Sequence, residues 1–313
     1  MSHWKILITG GAGFIGSSLA EELSRNSENK ILCIDNLTTG TKQNIPQIAN
    51  VEFIKCDVNR YDDISPLMST YKFDFVFHYA AVVGVARTLN NPVSVLNDIN
   101  GIRNILELSK NTGVKRVFYA SSSEVYGEPV EFPQVEDTTP LNSRLPYAVV
   151  KNVGESFCRS FQKEYGLEYT ILRLFNTYGP KQSDDFVITR FLKAAFKNEP
   201  ISIYGDGLQI RTFCYIKDNI EVTRLLMENG LCVNETINIG NDIEISILEL
   251  ANQIIHFAGS SSMIEYLPPL DEGDMSRRQP DNSKMKQVLE GSLLTIDEGL
   301  KDIISMNLKA HNV

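Results

Sequence analysis

The sequence predicts an α/β fold, a doubly wound parallel sheet with helices on both faces and a smaller, interleaved α/β region. Three observations predict it. Apolar runs of strand length alternate with helical patterns through the first half. A glycine-rich turn joins the first apolar run to the first helical one. The length, 313 residues, suits one two-part unit.

The elements follow in order. Lys5–Thr9 is expected as a buried strand, and Phe14–Asn26 as a helix with Ile15, Leu19 and Leu23 at helical spacing. Strands are expected at Ile31–Asp35, Val51–Cys56 and Phe75–His78. Asp98–Asn111 is a helix that stops before Gly113, and Val117–Ala120 is a fifth strand. Pro146–Tyr165 is a long helix with proline at its first position and Gly166 at its stop. Tyr169–Leu174 is a sixth strand. Strand–helix alternation of this kind implies parallel strands joined by crossover helices. The second half is less regular. Turns at Gly179–Gln182, Tyr204–Gly207 and Pro268–Gly273 separate helices such as Val187–Lys197 and Ile247–Ala258, as in a small substrate-capping region.

Bulk chemistry narrows the partners. Hydrophobic residues make up 42% and charged residues 22%, ordinary globular values, and the net charge is -9. No Lys/Arg cluster interrupts that acidity, so neither nucleic acid nor an anionic membrane is expected as a partner. The five cysteines have no CxxC spacing and are expected as reduced thiols, and no metal site is expected. The N-terminus runs directly into the first strand without a signal-like segment, and no apolar run is long enough for a membrane span; a cytoplasmic location is expected.

The first turn, Gly10-Gly11-Ala12-Gly13-Phe14-Ile15-Gly16, is suited to a dinucleotide. Gly10, Gly13 and Gly16 allow a tight turn, close approach of backbone to a pyrophosphate, and close helix–strand packing. The helix start then offers free N–H groups and a positive dipole end. The spacing is GxxGxxG, not the commoner GxGxxG. Asp35 ends the second strand, where a carboxylate takes the ribose hydroxyls of an adenosine and repels a 2′-phosphate; Asn36 and Leu37 follow without an arginine. NAD, not NADP, is the expected cofactor. Asp57-Val58 after the third strand is a candidate for the adenine amino group.

Tyr147 and Lys151 stand four apart in the long helix and so share a face. An ammonium beside a phenol favours the phenolate, and the tyrosine is expected to be shifted towards working pH as a general base. The fifth strand runs into Ser121-Ser122-Ser123-Glu124-Val125-Tyr126-Gly127 at the sheet edge where ligands bind, so a serine hydroxyl is expected beside Tyr147.

These segments, with Phe77-His78-Tyr79-Ala80-Ala81, Phe175-Asn176-Thr177-Tyr178-Gly179-Pro180, Tyr204-Gly205-Asp206-Gly207 and Arg211-Thr212-Phe213-Cys214-Tyr215-Ile216, occur in an order that resembles the extended short-chain dehydrogenase/reductases, the nucleotide-sugar epimerase and dehydratase group. The resemblance runs along almost the whole chain. It implies a Rossmann-like NAD domain of residues 1–176 plus 211–240, and a nucleotide-sugar-binding domain of residues 177–210 plus 241–313. It implies that Tyr147 is the base, that Lys151 tunes it and holds the nicotinamide ribose, and that Ser122 is the hydroxyl partner. Ala80 belongs to the implied cofactor site; Ser123 and Asn176 belong to the implied substrate site. Arg211, and Arg278 within Arg277-Arg278-Gln279-Pro280-Asp281, are implied as clamps on a substrate diphosphate. A homodimer through Asn97–Asn111 and Tyr147–Tyr165 is implied by the same resemblance.

Such enzymes begin by oxidising C4 of the sugar and then diverge. Ser122-Ser123-Glu124 is similar to the decarboxylases and to one type of 4,6-dehydratase, with Glu124 available for chemistry at C5. Ala80-Ala81 followed by Gly84-Val85 and Asn91-Pro92 falls in register with the uronate 4-epimerases. The expectation is a 4-epimerase acting on a nucleotide-diphosphate sugar, with decarboxylation or dehydration as the alternative and a catalytically silent NAD-binding regulator as a remote one.

Overall fold

The computed structural model describes residues 3–269 and 277–311. The turn expected at Pro268–Gly273 lies partly outside the described residues.

In the first half, strands β1 (Lys5–Thr9), β2 (Lys30–Asp35), β3 (Val51–Lys55), β4 (Phe75–His78), β5 (Arg116–Ser122) and β6 (Glu168–Leu174) alternate with helices. The helices are α1 (Phe14–Leu23), α2 (Tyr61–Tyr71), α3 (Val85–Asn90), α4 (Pro92–Leu96), α5 (Asp98–Thr112) and α6 (Pro146–Tyr165). The second half contains β7 (Thr177–Tyr178), α7 (Val187–Lys197), β8 (Ile201–Tyr204), β9 (Ile210–Thr212), β10 (Cys214–Tyr215), α8 (Ile216–Glu228) and β11 (Glu235–Ile239). It closes with β12 (Glu244–Ser246), α9 (Ile247–Ala258), β13 (Ile264–Leu267), α10 (Ser283–Leu289) and α11 (Ile296–His311).

Seven strands form one sheet in the order β11-β6-β5-β4-β1-β2-β3, and every pairing within it is parallel. The strands alternate sides residue by residue. Ile6, Ile8, Phe75 and Phe77 join the core on one face; Leu7, Leu32, Ile34 and Val76 join the core on the other. Both sets are apolar because helices cover both faces. Leu19 and Leu23 of α1 and Ile220 and Leu226 of α8 pack on the first face. Ile64 and Met68 of α2, Ile102 and Ile105 of α5, and Val150 and Cys158 of α6 pack on the second.

Three differences from expectation have physical reasons. Helix α1 ends at Leu23, short of Asn26, where Asn29 Nδ2 takes the Leu23 carbonyl at 2.9 Å. Helix α2 was not expected; Pro66 lies in its interior, with only Ile64 and Met68 buried, so its apolar face is narrow. The less regular second half supplies α8 and a seventh strand, β11, which runs beside β6 at the sheet edge. The five cysteines are free. Among the described residues no helix is long and apolar enough to cross a membrane, and no cluster of candidate metal ligands occurs.

Candidate active site

The C-terminal ends of β1 to β6 open into one cleft of about 600 Å³, where ligands sit in open α/β sheets. Gly10, Gly13, Phe14, Ile15, Gly16, Asp35, Asn36, Asp57, Val58 and Ala80 line it, as do Ser122, Ser123, Glu124, Tyr147, Lys151, Asn176 and Arg278. Seventeen of the eighteen residues predicted from sequence are thus gathered in one place. Arg211 is the exception: it lies on β9 outside the lining, its Nη1 donating to the Ile210 carbonyl at 2.8 Å.

The dinucleotide end is shaped by backbone. Gly10 has φ +68°, and a side chain there would press into the Tyr79–Ala80 peptide at 2.9 Å. At Gly16 a Cβ would come within 2.4 Å of the Gly10 carbonyl oxygen. The start of α1, capped by Gly13, has no side-chain cap, so its first N–H groups face the cleft end unclaimed by side chains. Asp35 Oδ2 accepts from Ala12 N at 3.1 Å and Oδ1 accepts from Leu37 N at 2.7 Å. Burial raises its pKa, and those two N–H groups work against the rise. Asp57 accepts from Asn59 N at 3.0 Å. Glycines that leave room for a pyrophosphate, an open helix start and a carboxylate at the end of β2 fit NAD.

At the reaction end, Lys151 Nζ donates to the Ala120 carbonyl at 2.7 Å and lies 5.6 Å from the centre of the Tyr147 ring. Burial lowers the lysine pKa to about 8, with Asp98 opposing the change. The tyrosine does not follow the expected direction. Burial, then the Glu124 carboxylate, push the Tyr147 pKa up, and the Ser122 hydrogen bond and Arg278 only partly offset them. The Lys151 ammonium is directed at a backbone carbonyl, so its effect on the phenol is weaker than the four-residue spacing suggested. The expected serine is present: Ser122 bonds to Tyr147 and also accepts from Glu124 N at 3.2 Å.

Arg278 and Glu124 meet. Arg278 Nη1 lies 2.8 Å from Glu124 Oε1, and Arg278 is only 5% exposed. Asn176 reaches the other way, its Nδ2 donating to the Thr212 carbonyl at 2.9 Å.

Sequence reasoning missed four supporting groups. Asp98 lines the cleft and accepts from Val82 N at 2.7 Å, fixing the cleft wall. His78 Nδ1 bonds to Thr9 Oγ1 at 2.8 Å, and the same oxygen accepts from Ala80 N at 3.1 Å, tying β1 to the turn after β4. Burial, then Lys151, lower the His78 pKa to about 3, so it stays neutral. Arg87 and Asp185 form an ion pair at 3.0 Å between α3 and the segment before α7. His78 lies within a motif already singled out; the other three carry no local signal, because their partners are distant in sequence.

The profile of the NAD dependent epimerase/dehydratase family matches residues 6–240. The chain belongs to that family. It is 35% identical over 316 residues to a UDP-N-acetyl-alpha-D-glucosaminuronate decarboxylase of Bacillus cytotoxicus, across 96% of each chain. The fold is similar to a UDP-glucose 4-epimerase of Thermotoga maritima with UDP-glucose, at TM-score 0.92 and 31% identity over 98% of this chain and 99% of that one. It is also similar to a UDP-glucuronic acid 4-epimerase of Bacillus cereus in complex with UDP-glucuronic acid and NAD, at TM-score 0.87 and 32% identity over 97% and 99%. As a member of the family the chain is NAD-dependent. The proteins it is similar to divide between epimerases, decarboxylases and dehydratases.

Proposed function

We propose that this chain decarboxylates a nucleotide-diphosphate-linked uronic acid after oxidising it at C4, which reverses the order of preference drawn from sequence. The observation that carries the reading is the Glu124–Arg278 pair in the cleft beside Tyr147. Exchange of configuration at C4 needs a base at the 4-hydroxyl and nothing at C5. An acid–guanidinium pair at the same point, its arginine buried and its carboxylate partly open to the cleft, suits a substrate whose C6 carboxylate must be held and then lost. The relative that decarboxylates a nucleotide-linked uronate supports the reading, as does the structural neighbour that binds one.

Tyr147 takes the 4-hydroxyl proton, with Ser122 holding the same oxygen. NAD, which Gly10, Gly13, Gly16 and Asp35 would hold, would supply the hydride acceptor and donor for C4, and its positive charge would favour the Tyr147 phenolate that takes the proton. The sugar is then a β-keto acid. Its C5–C6 bond breaks, CO₂ leaves, and the electron pair passes into the C4 oxygen, where the hydroxyls of Tyr147 and Ser122 stabilise the enolate. Arg278 orients the departing carboxylate, while the nearby Glu124 charge disfavours keeping it there as an anion. C5 then takes up a proton from a solvent water on the side held by Glu124, and the electron pair returns from the C4 oxygen to C5.

A second reading, 4-epimerisation, draws support from Ala80, Ala81 and Gly84, small residues along the cleft wall that leave room for a sugar to turn over. Incubation with UDP-glucuronate, its N-acetylamino analogue and UDP-glucose, followed by mass spectrometry, separates the two. Loss of CO₂ supports decarboxylation. A product of unchanged mass and inverted C4 rejects it.

We take residues 1–176 with 211–240 as the cofactor-binding unit and 177–210 with 241–313 as the substrate-binding unit. We also propose a homodimer through α5 and α6. Phe157, Phe161 and Tyr165 follow one another along α6 in tilted ring contacts, the first two half-buried, and Tyr165, Val93, Leu96 and Val149 are exposed. Sedimentation of Phe161→Glu against the wild type tests this: a dimer turned to monomer supports it, and identical mass rejects it.

A further inference from the structure

A buried polar network lies behind the cleft and touches every segment that carries a proposed reactive group. It begins on α6, where Glu155 sits one turn beyond Lys151. Glu155 Oε1 accepts from Ser121 Oγ at 2.7 Å and from Arg173 Nε at 2.8 Å. Its Oε2 accepts from Arg173 Nη2 at 2.7 Å and from Arg159 Nη2 at 2.8 Å. The helix that carries Tyr147 and Lys151 is thereby fastened to the end of β5, next to Ser122.

Arg173, on β6, is 1% exposed and Glu155 is fully buried. Its Nη1 donates to the Tyr126 hydroxyl at 2.8 Å and to the Glu136 carbonyl at 2.9 Å. Tyr126, two residues after Glu124, donates in turn to Asn238 Oδ1 at 2.8 Å. Asn238 Nδ2 donates to the carbonyls of Gln134 at 2.9 Å and Asp281 at 3.1 Å. Gln134 N donates to the Gln279 carbonyl at 2.8 Å, and Asp281 N donates to the Gln134 carbonyl at 2.8 Å. Gln279 directly follows Arg278 and Asp281 lies three residues beyond it, so the last links hold the backbone that presents this arginine.

A buried ion pair is a poor device for stability alone, because desolvation takes back much of the Coulomb gain. It is a good device for fixing relative position, since each group has only one satisfied arrangement. We propose that Arg173 is a positioning residue which, through Tyr126 and Asn238, holds the Arg278–Glu124 pair in register with Tyr147 and Lys151. The proposal rests on the reading that Tyr147 works at C4 with Arg278 beside it, and it holds whichever product is released.

The test uses Tyr126→Phe, which removes the hydroxyl between Arg173 and Asn238 and keeps the ring. Measured with UDP-glucuronate, this variant should lower kcat about tenfold and also weaken substrate binding, as expected when a group that holds the substrate before and during reaction is displaced, with NAD affinity and melting temperature near the wild type. In an Arg278→Ala background the same change should cost less than about twofold, because two residues acting through one group are not additive. Calorimetric affinity for UDP-glucuronate should follow the same pattern, and this readout does not need turnover. Asn238→Ala repeats the test from the far end should Tyr126→Phe fold poorly. An equal loss in both backgrounds, or a well-folded Tyr126→Phe with unchanged kcat and affinity, overturns the proposal. A wild type that binds UDP-glucuronate without changing it overturns the proposed reaction instead, and the affinity cycle still decides on the network.

Discussion

Glu124 and Arg278, far apart in the chain, meet at 2.8 Å beside Tyr147. Glu124 comes from the turn after β5 and Arg278 from the segment before α10. The edge of the parallel sheet and the C-terminal part of the chain thus each contribute one half of an ion pair inside the cleft. For the proposed decarboxylation, Glu124→Gln should lower kcat by about 10²–10⁴-fold, near the loss from Tyr147→Phe. Turnover in D₂O should also place solvent deuterium at C5 of the product. A Glu124→Gln variant within tenfold of wild type, with unlabelled product, would instead favour epimerisation.

Arg278 and Arg211 should no longer behave alike. Arg278→Ala should cost on the order of 2–3 kcal/mol in kcat/KM, as for a lost charge-assisted bond, and should leave Glu124 without this partner. Arg211→Ala should cost less, since Arg211 does not line the cleft. Steady-state kinetics of the two variants decide it; equal losses would mean that Arg211 swings in when substrate binds.

Cofactor choice follows from Asp35. With both oxygens held by backbone N–H groups, the carboxylate cannot turn aside for a 2′-phosphate. NAD should bind at least about tenfold tighter than NADP by calorimetry, and Asp35→Ala should narrow the gap by removing the repulsion.

His78 sets an acid limit on stability. Its pKa is about 3 in the folded chain, below the ordinary histidine value of about 6.5, so the unfolded chain binds the extra proton. The stability conferred by keeping this ring neutral is therefore fully present above about pH 6.5 and is lost as pH falls towards 3, by up to about 4–5 kcal/mol. Burial raises the pKa of Asp98 and Asp218, which gives the opposite slope across the carboxylate range. Denaturant melts of His78→Gln from pH 7 to 4 should show a flatter acid limb than the wild type; parallel curves would remove His78 as the cause.

Arg87 and Asp185 face each other at 3.0 Å with about a third of each side chain exposed, so the pair should contribute only about 0.5–1 kcal/mol to stability. Its effect should show in kinetics: Asp185→Asn should speed release of nucleotide sugar, measured by stopped flow, and added salt should do the same to the wild type. A release rate indifferent to both would mean that the pair does not gate the cleft.

Much of this was legible in the chain because the signals are local. Glycine spacing, an acidic strand end and a Tyr–Lys pair one helical turn apart each lie within a short window. The Arg87–Asp185 pair and the Arg173–Glu155 clamp were not legible, since each joins segments whose proximity only the folded sheet creates. The Tyr147 pKa was misjudged for the same reason. Sequence supplied the neighbouring lysine, but not the burial, the Glu124 charge or the carbonyl that receives the ammonium.

Strand β11 pairs with β6, yet residues 177–210 are made between them. A chain emerging from the ribosome therefore holds an open strand edge at β6 until Ile239 has been synthesised, and that edge invites pairing with any other extended chain. Folding of the first half is thus coupled to timely delivery of the second. Truncation just before Glu235 should yield a product prone to clumping, although residues 1–174 already contain six of the seven strands of the sheet.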